Sequence, residues 1–318
     1  MIIRFSSIGD IVLTTPVIRC LKQQLPSVEI HYLTKPQYAT ILEASPHISH
    51  VHVLDKPLLK KISELKKYNF DVIIDLHRNL RSFILKVILG VPAHSFNKVN
   101  FKKWLLVEFK WNILPNTHIV DRYLGTIKPL GVVNDGKGLE YFIPSNIDIS
   151  DFTLPKEFVA FAIGAQHYTK RLPAPKIVEI ANKLELPIVM LGGKEDIKQS
   201  IEIEKISTAT IVNYCGKLTL HQSAIVLSRA NKVISHDTGL MHIAAAFKKE
   251  IVSIWGNTIP EFGMTPYYGN EIVENTLFSV PHLRCKPCSK IGFSKCPKGH
   301  FKCMQLQDAS AIALAVNE

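Results

Sequence analysis

No stretch of the sequence approaches the roughly 20 consecutive apolar residues of a spanning helix, so a helical membrane protein is not expected. Met1-Ile2-Ile3-Arg4 runs straight into a strand-like start with no apolar run of signal-peptide length, so secretion is not expected and a cytoplasmic chain is. Neither G-x-G-x-x-G nor G-x-x-x-x-G-K-[ST] occurs, which argues against a dinucleotide-dependent oxidoreductase and a P-loop enzyme. Acidic residues are in short supply, 27 Asp+Glu against 38 Lys+Arg, for a formal charge of +11. That balance expects an anionic partner: phosphate, nucleic acid or an anionic membrane surface. No nucleic-acid motif and no aromatic-basic strand signature accompany the charge, so nucleic acid is not the expected partner.

What is present is an ordinary globular composition, 47% hydrophobic and 20% charged over 318 residues. At about 150 residues per domain, the length suggests two domains. Short apolar runs alternate with helical periodicity. Strands are expected over 2–5, 29–33, 50–54 and 71–76, with helices over 11–24, 36–44 and 58–67. The pattern restarts with strands over 158–163, 188–192, 210–214, 232–235 and 251–255, and helices over 175–184, 197–206, 220–230 and 239–247. Such alternation predicts α/β architecture, two Rossmann-like doubly wound parallel-sheet domains facing a central cleft. Residues 141–155 carry Pro144 and Pro155 and little helical periodicity, which sets the boundary between domains 1–150 and 151–318. The first domain is the more basic, with 19 cations and 12 acids for +7, against 19 and 15 for +4 in the second.

Four loops can carry chemistry. Ser6-Ser7-Ile8-Gly9-Asp10 joins the first strand to the first helix, where Asp10 reads either as an N-cap or as a general base facing the cleft. Lys170-Arg171 follow a strand by one loop and suit a diphosphate or simply a solvated surface. Gly192-Gly193-Lys194-Glu195-Asp196 offers a carboxylate at a strand end, of the kind that accepts from ribose hydroxyls. Ser235 to His242 combines a buried strand end at Asp237 with a helix beginning near Gly239, an anion site or a plain capped turn with a core histidine.

Together "FSSIGDIVLTTP", "YTKRLP", "LGGKED" and above all "SHDTGLMHIAAAF" resemble glycosyltransferase family 9, the ADP-heptose:lipopolysaccharide heptosyltransferases. The resemblance extends over nearly the whole chain, including "YNFDVIIDLHRNLRS" and the terminal cysteine segment. It implies the GT-B fold and an inverting, metal-independent transfer of heptose from ADP-heptose to a lipopolysaccharide-core or lipid-linked acceptor. The second domain would hold the donor. By position, the family's base falls on Asp10 and its phosphate-contacting lysine on Lys170. Its ribose-binding acid falls on Glu195, and its diphosphate-binding helix start on Asp237, Thr238, Gly239 and Leu240, with His242 one turn on. Ser7 and Gly9 are placed on the acceptor side; Asp75, His77, Asn79 and Arg81 follow the fourth strand and either line that side, where Arg78 and Arg81 can meet acceptor phosphates, or belong to a solvated helix start. Many members carry Trp at the position of Leu172 and Pro at that of Leu240, which leaves the donor sugar less defined than the reaction type. Another nucleotide sugar or acceptor, or a non-catalytic phosphate-ligand or nucleic-acid binding protein, are the alternatives.

Two segments remain. Residues 101–111 place Phe101, Leu105 and Phe109 on one helical face beside Trp104 and Trp111, opposite Lys102, Lys103 and Lys110. The pattern suits peripheral contact with the inner membrane face or a helix packed on its sheet. Residues 285–303 hold Cys285, Cys288, Cys296 and Cys303 with His300 between them, dense enough for a structural zinc although the spacing is not a common finger pattern. The six cations from Arg284 to Cys303 can also meet an anionic acceptor. A terminal helix is expected after this segment. Cys20 and Cys215 read as small buried hydrophobes.

Overall fold

The computed structural model describes residues 1–150 and 152–318; Asp151, where the second domain was expected to begin, lies outside the described residues. Contacts divide the chain into two compact units. The first comprises residues 1–98, 117–142 and 269–271, and the second 99–116, 143–268 and 272–318. Residues 99–116 thus pack with the second unit, although they precede most of it in sequence.

The first unit contains a five-stranded parallel sheet of β1 (Ile2–Ile3), β2 (His31–Thr34), β3 (His50–Val53), β4 (Ile73–Asp75) and β5 (Ala93–Ser95), in the order β3-β2-β1-β4-β5. The second contains β6 (Val159–Ala162), β7 (Ile188–Leu191), β8 (Ile211–Asn213), β9 (Lys232–His236), β10 (Glu250–Trp255) and β11 (Asn275–Ser279), in the order β11-β10-β9-β6-β7-β8 and parallel throughout. The strand order turns back at β1 in one sheet and at β6 in the other. Ligands of doubly wound sheets bind at the carboxyl ends near such points.

Strands buried on both faces read as continuous apolar runs, and β6 and β7 are buried at every position. Their inner side chains join Leu172, which lies two residues before the helix Ala174–Ala181, Ile177 and Ile180 of that helix, and Ile312 and Val316 of the terminal helix Ala309–Asn317 in one core. Two strands escape the sequence reading. Ala93–Ser95 has only three residues and exposed ends, and Asn275–Ser279 is an edge strand with no apolar run. The long first helix expected over 11–24 is two helices, Ile8–Val12 and Thr15–Gln24, because Pro16 sits at the first turn of the second and cannot continue a preceding one.

Candidate functional site

The first helix begins at Ile8, three residues earlier than its periodicity indicates, and this changes the place of Asp10. Ser7 is the N-cap and Asp10 the third helical residue, so the N-cap reading of Asp10 gives way to a capping box. The Ser7 N–H and Oγ–H both donate to Asp10 Oδ2, at 3.0 and 2.8 Å. The other carboxylate oxygen lies 2.6 Å from Arg4 Nη2. Arg4 is itself buried, and its remaining donors reach the Ser6 carbonyl at 2.7 Å and the Leu76 carbonyl at 2.5 Å. Burial alone would raise the Asp10 pKa, but the Arg4 charge and the two Ser7 donors outweigh it and hold the carboxyl below its ordinary value. The result is an ionised carboxylate at the carboxyl end of β1, its side chain 20% exposed, with a lone pair of Oδ1 still available.

Around it stand groups from β4 and the following turn. Asp75 is fully buried and accepts from the backbone N–H of His77 and Arg78, from Ser82 Oγ and from Lys86 at 2.8 Å. Asn79 caps the helix Leu80–Leu89 by accepting from the Ser82 N–H at 2.9 Å, so its carbonyl oxygen is committed and its amide nitrogen is what it can offer a ligand. Gly9 is buried in the first turn, and Arg78 adopts φ 48° and donates to the Phe96 carbonyl. His77 packs edge-on to Phe5, and burial together with nearby Arg4 and Lys98 lowers its pKa to about 4. Arg81 is exposed beside a cleft of about 320 Å³, where Lys35, Lys56 and Leu58 also line the wall.

In the second unit Lys170 ends a short turn, Tyr168–Lys170, and its ammonium bonds Asp237 Oδ2 at 2.5 Å and the Asp237 carbonyl at 3.3 Å. Thr258 donates to the same carboxylate oxygen at 2.9 Å. Asp237 lies between the end of β9 and the N-cap Thr238, and the helix Gly239–Ala246 starts at the next residue. Cation, carboxylate and the unpaired N–H groups of a helix start are therefore gathered at one strand end. Leu240 is half-buried in the first turn and His242 is buried one step further. Glu195 is exposed on the turn Lys194–Asp196 after β7.

Three supporting contacts have no clear signal in the sequence. Arg171 pairs with Asp196 at 2.8 Å, and Asp196, fully buried, also accepts from the Gly193 N–H; a Cβ at Gly164 would overlap this carboxylate. His236, pushed down to about 4 by burial, is neutral and accepts from the Leu172 N–H at 3.2 Å. The turn at Lys170 is fastened to the cysteine-rich segment: Thr169 N–H donates to the Phe293 carbonyl at 3.2 Å, Phe293 N–H donates to Thr169 Oγ1 at 2.9 Å, and Tyr168 stacks on Phe301. Leu172 is 1% exposed within the core and so serves packing.

Within the cysteine segment, Cys285 Sγ lies 3.7 Å from His300 Nε2, while Cys303 is buried in the core with Cys296 packed against it. Burial raises the Cys288 thiol to about 12 and the Cys303 thiol to about 11. Among the described residues, no three donors of this segment lie within 4.8 Å of one another. The helix Asn100–Phe109 buries only Leu106, and Phe101, Trp104, Phe109 and Trp111 form an exposed aromatic row with ring centroids 5.3 to 6.0 Å apart. Of the lysines expected to face an anionic surface, Lys110 instead bonds the Val107 and Pro287 carbonyls and Lys103 lies over the Phe262 ring. Among the described residues, no helix is long and apolar enough to cross a membrane.

A family model described as glycosyltransferase family 9 (heptosyltransferase) matches residues 58–295. Lipopolysaccharide heptosyltransferase 1 of Campylobacter coli is 24% identical over 310 residues, covering 86% of each chain. The solved structure of a glycosyl transferase family 9 protein from Veillonella parvula is similar at TM-score 0.69 and 24% identity, covering 86% of this chain and 85% of that one. E. coli heptosyltransferase WaaC with ADP is similar at TM-score 0.68 and 19% identity, covering 99% and 98%. The two parallel sheets are those of the GT-B fold. With three quarters of its length matched by the family model, the chain belongs to glycosyltransferase family 9 and is a glycosyltransferase.

Proposed function

We propose that this enzyme transfers heptose from ADP-heptose to a lipopolysaccharide-core acceptor, with inversion at the anomeric carbon and without a catalytic metal. The observation that carries the donor half is the placement of Lys170 at 2.5 Å from Asp237, beside the start of the helix Gly239–Ala246. As the bond to the nucleoside diphosphate breaks, negative charge grows on the leaving phosphate. Lys170 and the N–H groups of Thr238 and Gly239 meet that charge, with Leu240 and His242 completing the helix start. A phosphate oxygen on Lys170 competes with the Asp237 carboxylate, so Asp237 and Thr258 hold the ammonium in place until the donor arrives. Glu195 accepts from the ribose hydroxyls.

On the acceptor side, Asp10 takes the proton of the attacking hydroxyl as the new glycosidic bond forms. Arg4 and Ser7 aim the carboxylate and keep it ionised. Gly9 allows the acceptor close to the first turn, and Asn79 and Arg81 contact it from the β4 side. Lys35 and Lys56, across the cleft from Arg81, supply charge for a phosphorylated acceptor. A lipid-linked acceptor accounts for the exposed aromatic row at Phe101 to Trp111, which suits peripheral contact with the cytoplasmic face of the inner membrane, with Lys102 toward anionic head groups.

The cysteine segment is read as a brace for the donor loop, acting through Phe293 and Thr169. A structural zinc on Cys285, Cys288, Cys296 and Cys303 would stiffen that brace. The Cys285–His300 approach supports the idea, and a site of all four thiols requires the segment to draw closer than the separation described above.

The function is tested with a donor screen: nucleoside diphosphates by thermal shift, then the corresponding sugar donors with core-oligosaccharide acceptors. Stabilisation by ADP and transfer from ADP-heptose are expected, and Lys170→Ala is expected to weaken ADP binding. Binding of another nucleotide with no response to ADP overturns the donor assignment.

A further inference from the structure

At the edge of the first sheet lies a cluster that shares no residue with the transfer chemistry. β3 is an edge strand, and its parallel register with β2 sets His50 opposite His31 and His52 opposite Leu33. Because side chains alternate along a strand, His31, His50 and His52 share one face. Glu29, two residues before His31, reaches the same place. His31 is buried, whereas His50 and Glu29 are exposed. One donor atom from each of Glu29, His31 and His50 lies within 4.8 Å of the other two.

The two nitrogens of His31 are in different situations. Nδ1 lies 2.8 Å from His52 Nε2, a hydrogen bond that fixes the ring. Nε2 lies 3.8 Å from Glu29 Oε2, too far for a hydrogen bond. That gap is about half an ångström wider than the roughly 3.3 Å that two ligand bonds of about 2 Å span across a tetrahedral ion, a difference the exposed Glu29 side chain closes by a small rotation. When Nδ1–H donates to His52, the Nε2 lone pair points at a carboxylate, and a cation between them turns a repulsive arrangement into an attractive one.

We propose that Glu29, His31 and His50 form a binding site for a divalent first-row transition cation, with His52 as the outer partner that fixes the His31 tautomer. Two imidazoles and one carboxylate suit Zn²⁺, Co²⁺, Ni²⁺ or Cu²⁺, whereas Mg²⁺ and Ca²⁺ prefer all-oxygen sets. Three protein ligands leave at least one position open to water. Neighbouring Lys61 does not oppose the ion strongly, since its ammonium is paired with Glu64 at 3.0 Å and Asp55 at 3.4 Å. A bound ion ties the edge strand β3 to β2 and to the segment before it.

The test is a Co²⁺ titration of the untagged full-length chain, read by absorption spectroscopy and calorimetry, beside His50→Ala, Glu29→Gln and His52→Gln. His50 and Glu29 are exposed, so their replacement is expected to leave the far-ultraviolet circular dichroism and ADP binding unchanged. The wild-type chain is expected to bind one Co²⁺ at a site with visible d–d bands typical of nitrogen and oxygen ligands. His50→Ala should lose that site, Glu29→Gln should bind at least tenfold more weakly, and His52→Gln should bind about 10- to 100-fold more weakly, as for loss of an outer-shell partner. Absence of binding, a spectrum showing only sulfur-to-cobalt charge transfer from the cysteine segment, or unchanged affinity in His50→Ala and Glu29→Gln overturns the proposal. Failure of the ADP-heptose reading leaves this result unaffected, because no nucleotide enters the cobalt measurement.

Discussion

Arg4 Nη2 and Asp10 Oδ1 lie 2.6 Å apart at the carboxyl end of the first strand, and the guanidinium spends its other donors on the carbonyls of Ser6 and Leu76. A buried arginine with that many fixed contacts does not swing with the substrate. It presents the carboxylate in one orientation, and it sets the charge state in which the carboxylate can accept a proton.

Removing Arg4 therefore moves the acid limb of the activity profile. In the wild-type enzyme Asp10 stays ionised well into acid, because Arg4 and Ser7 overcome the effect of burial. In Arg4→Gln the same burial acts unopposed by the guanidinium, and the carboxyl titrates at higher pH. The pH dependence of kcat/KM should show its acid limb displaced upward, and unfolding should be easier by about 3–5 kcal/mol, as for other broken buried pairs. An unmoved acid limb would show that another group governs it.

The loop proposed to hold the donor yields a second expectation. Thr169 joins the Lys170 turn to Phe293 through its hydroxyl and its backbone, and Thr169→Val keeps the shape while deleting the hydroxyl. The Phe293 N–H then loses its acceptor, and the turn loosens without any change in charge. Donor KM is expected to rise severalfold, with a smaller change in kcat, measured by initial rates at saturating acceptor.

Stability is expected to fall in mild acid. Burial lowers His236 to about 4, and burial with the Arg4 and Lys98 charges lowers His77 to about 4, both from 6.5. The unfolded chain binds protons at these residues as pH drops below 6.5, while the folded chain does not until pH approaches 4. Their contribution is complete above pH 6.5 and is lost progressively between 6.5 and 4. The melting temperature should decline across that window, and His236→Gln should flatten the decline, if the amide accepts from the Leu172 N–H as the imidazole does.

Much of this architecture is legible in the sequence. Nine of the strands lie where apolar or alternating residues are flanked by turn residues, and the two that do not, Ala93–Ser95 and Asn275–Ser279, are edge strands that bury little. The Asp10, Lys170 and Asp237 loops stand out because each follows a buried strand. Their partners do not. Arg4 is one cation at the end of an apolar run, and Thr258 and Asp196 are ordinary polar residues; only folding brings them to Asp10, Asp237 and Arg171. The aromatic stripe of 101–111 is visible in the sequence, but whether a sheet covers it depends on tertiary packing. The structure leaves it exposed and assigns Lys103 and Lys110 to internal contacts.

That exposed row gives a membrane prediction. Replacing Phe101, Trp104 and Trp111 with Ser should reduce binding to vesicles containing anionic phospholipid at least severalfold and leave ADP binding unchanged. Lys102→Gln should make the residual binding less salt-sensitive, since each near-surface cation contributes about 1 kcal/mol. Equal vesicle binding by wild type and the triple variant would assign the aromatic row another role.

The most direct test of the account is the transfer rate of Asp10→Asn, measured together with its affinity for ADP. Asn preserves the size of the side chain and removes its ability to take a proton. Transfer to the core acceptor is expected to fall by about 10² to 10⁴, with ADP affinity within twofold of wild type. Transfer at near wild-type rate, or a loss of ADP binding that accounts for the lost activity, would contradict the assignment of Asp10 as the base.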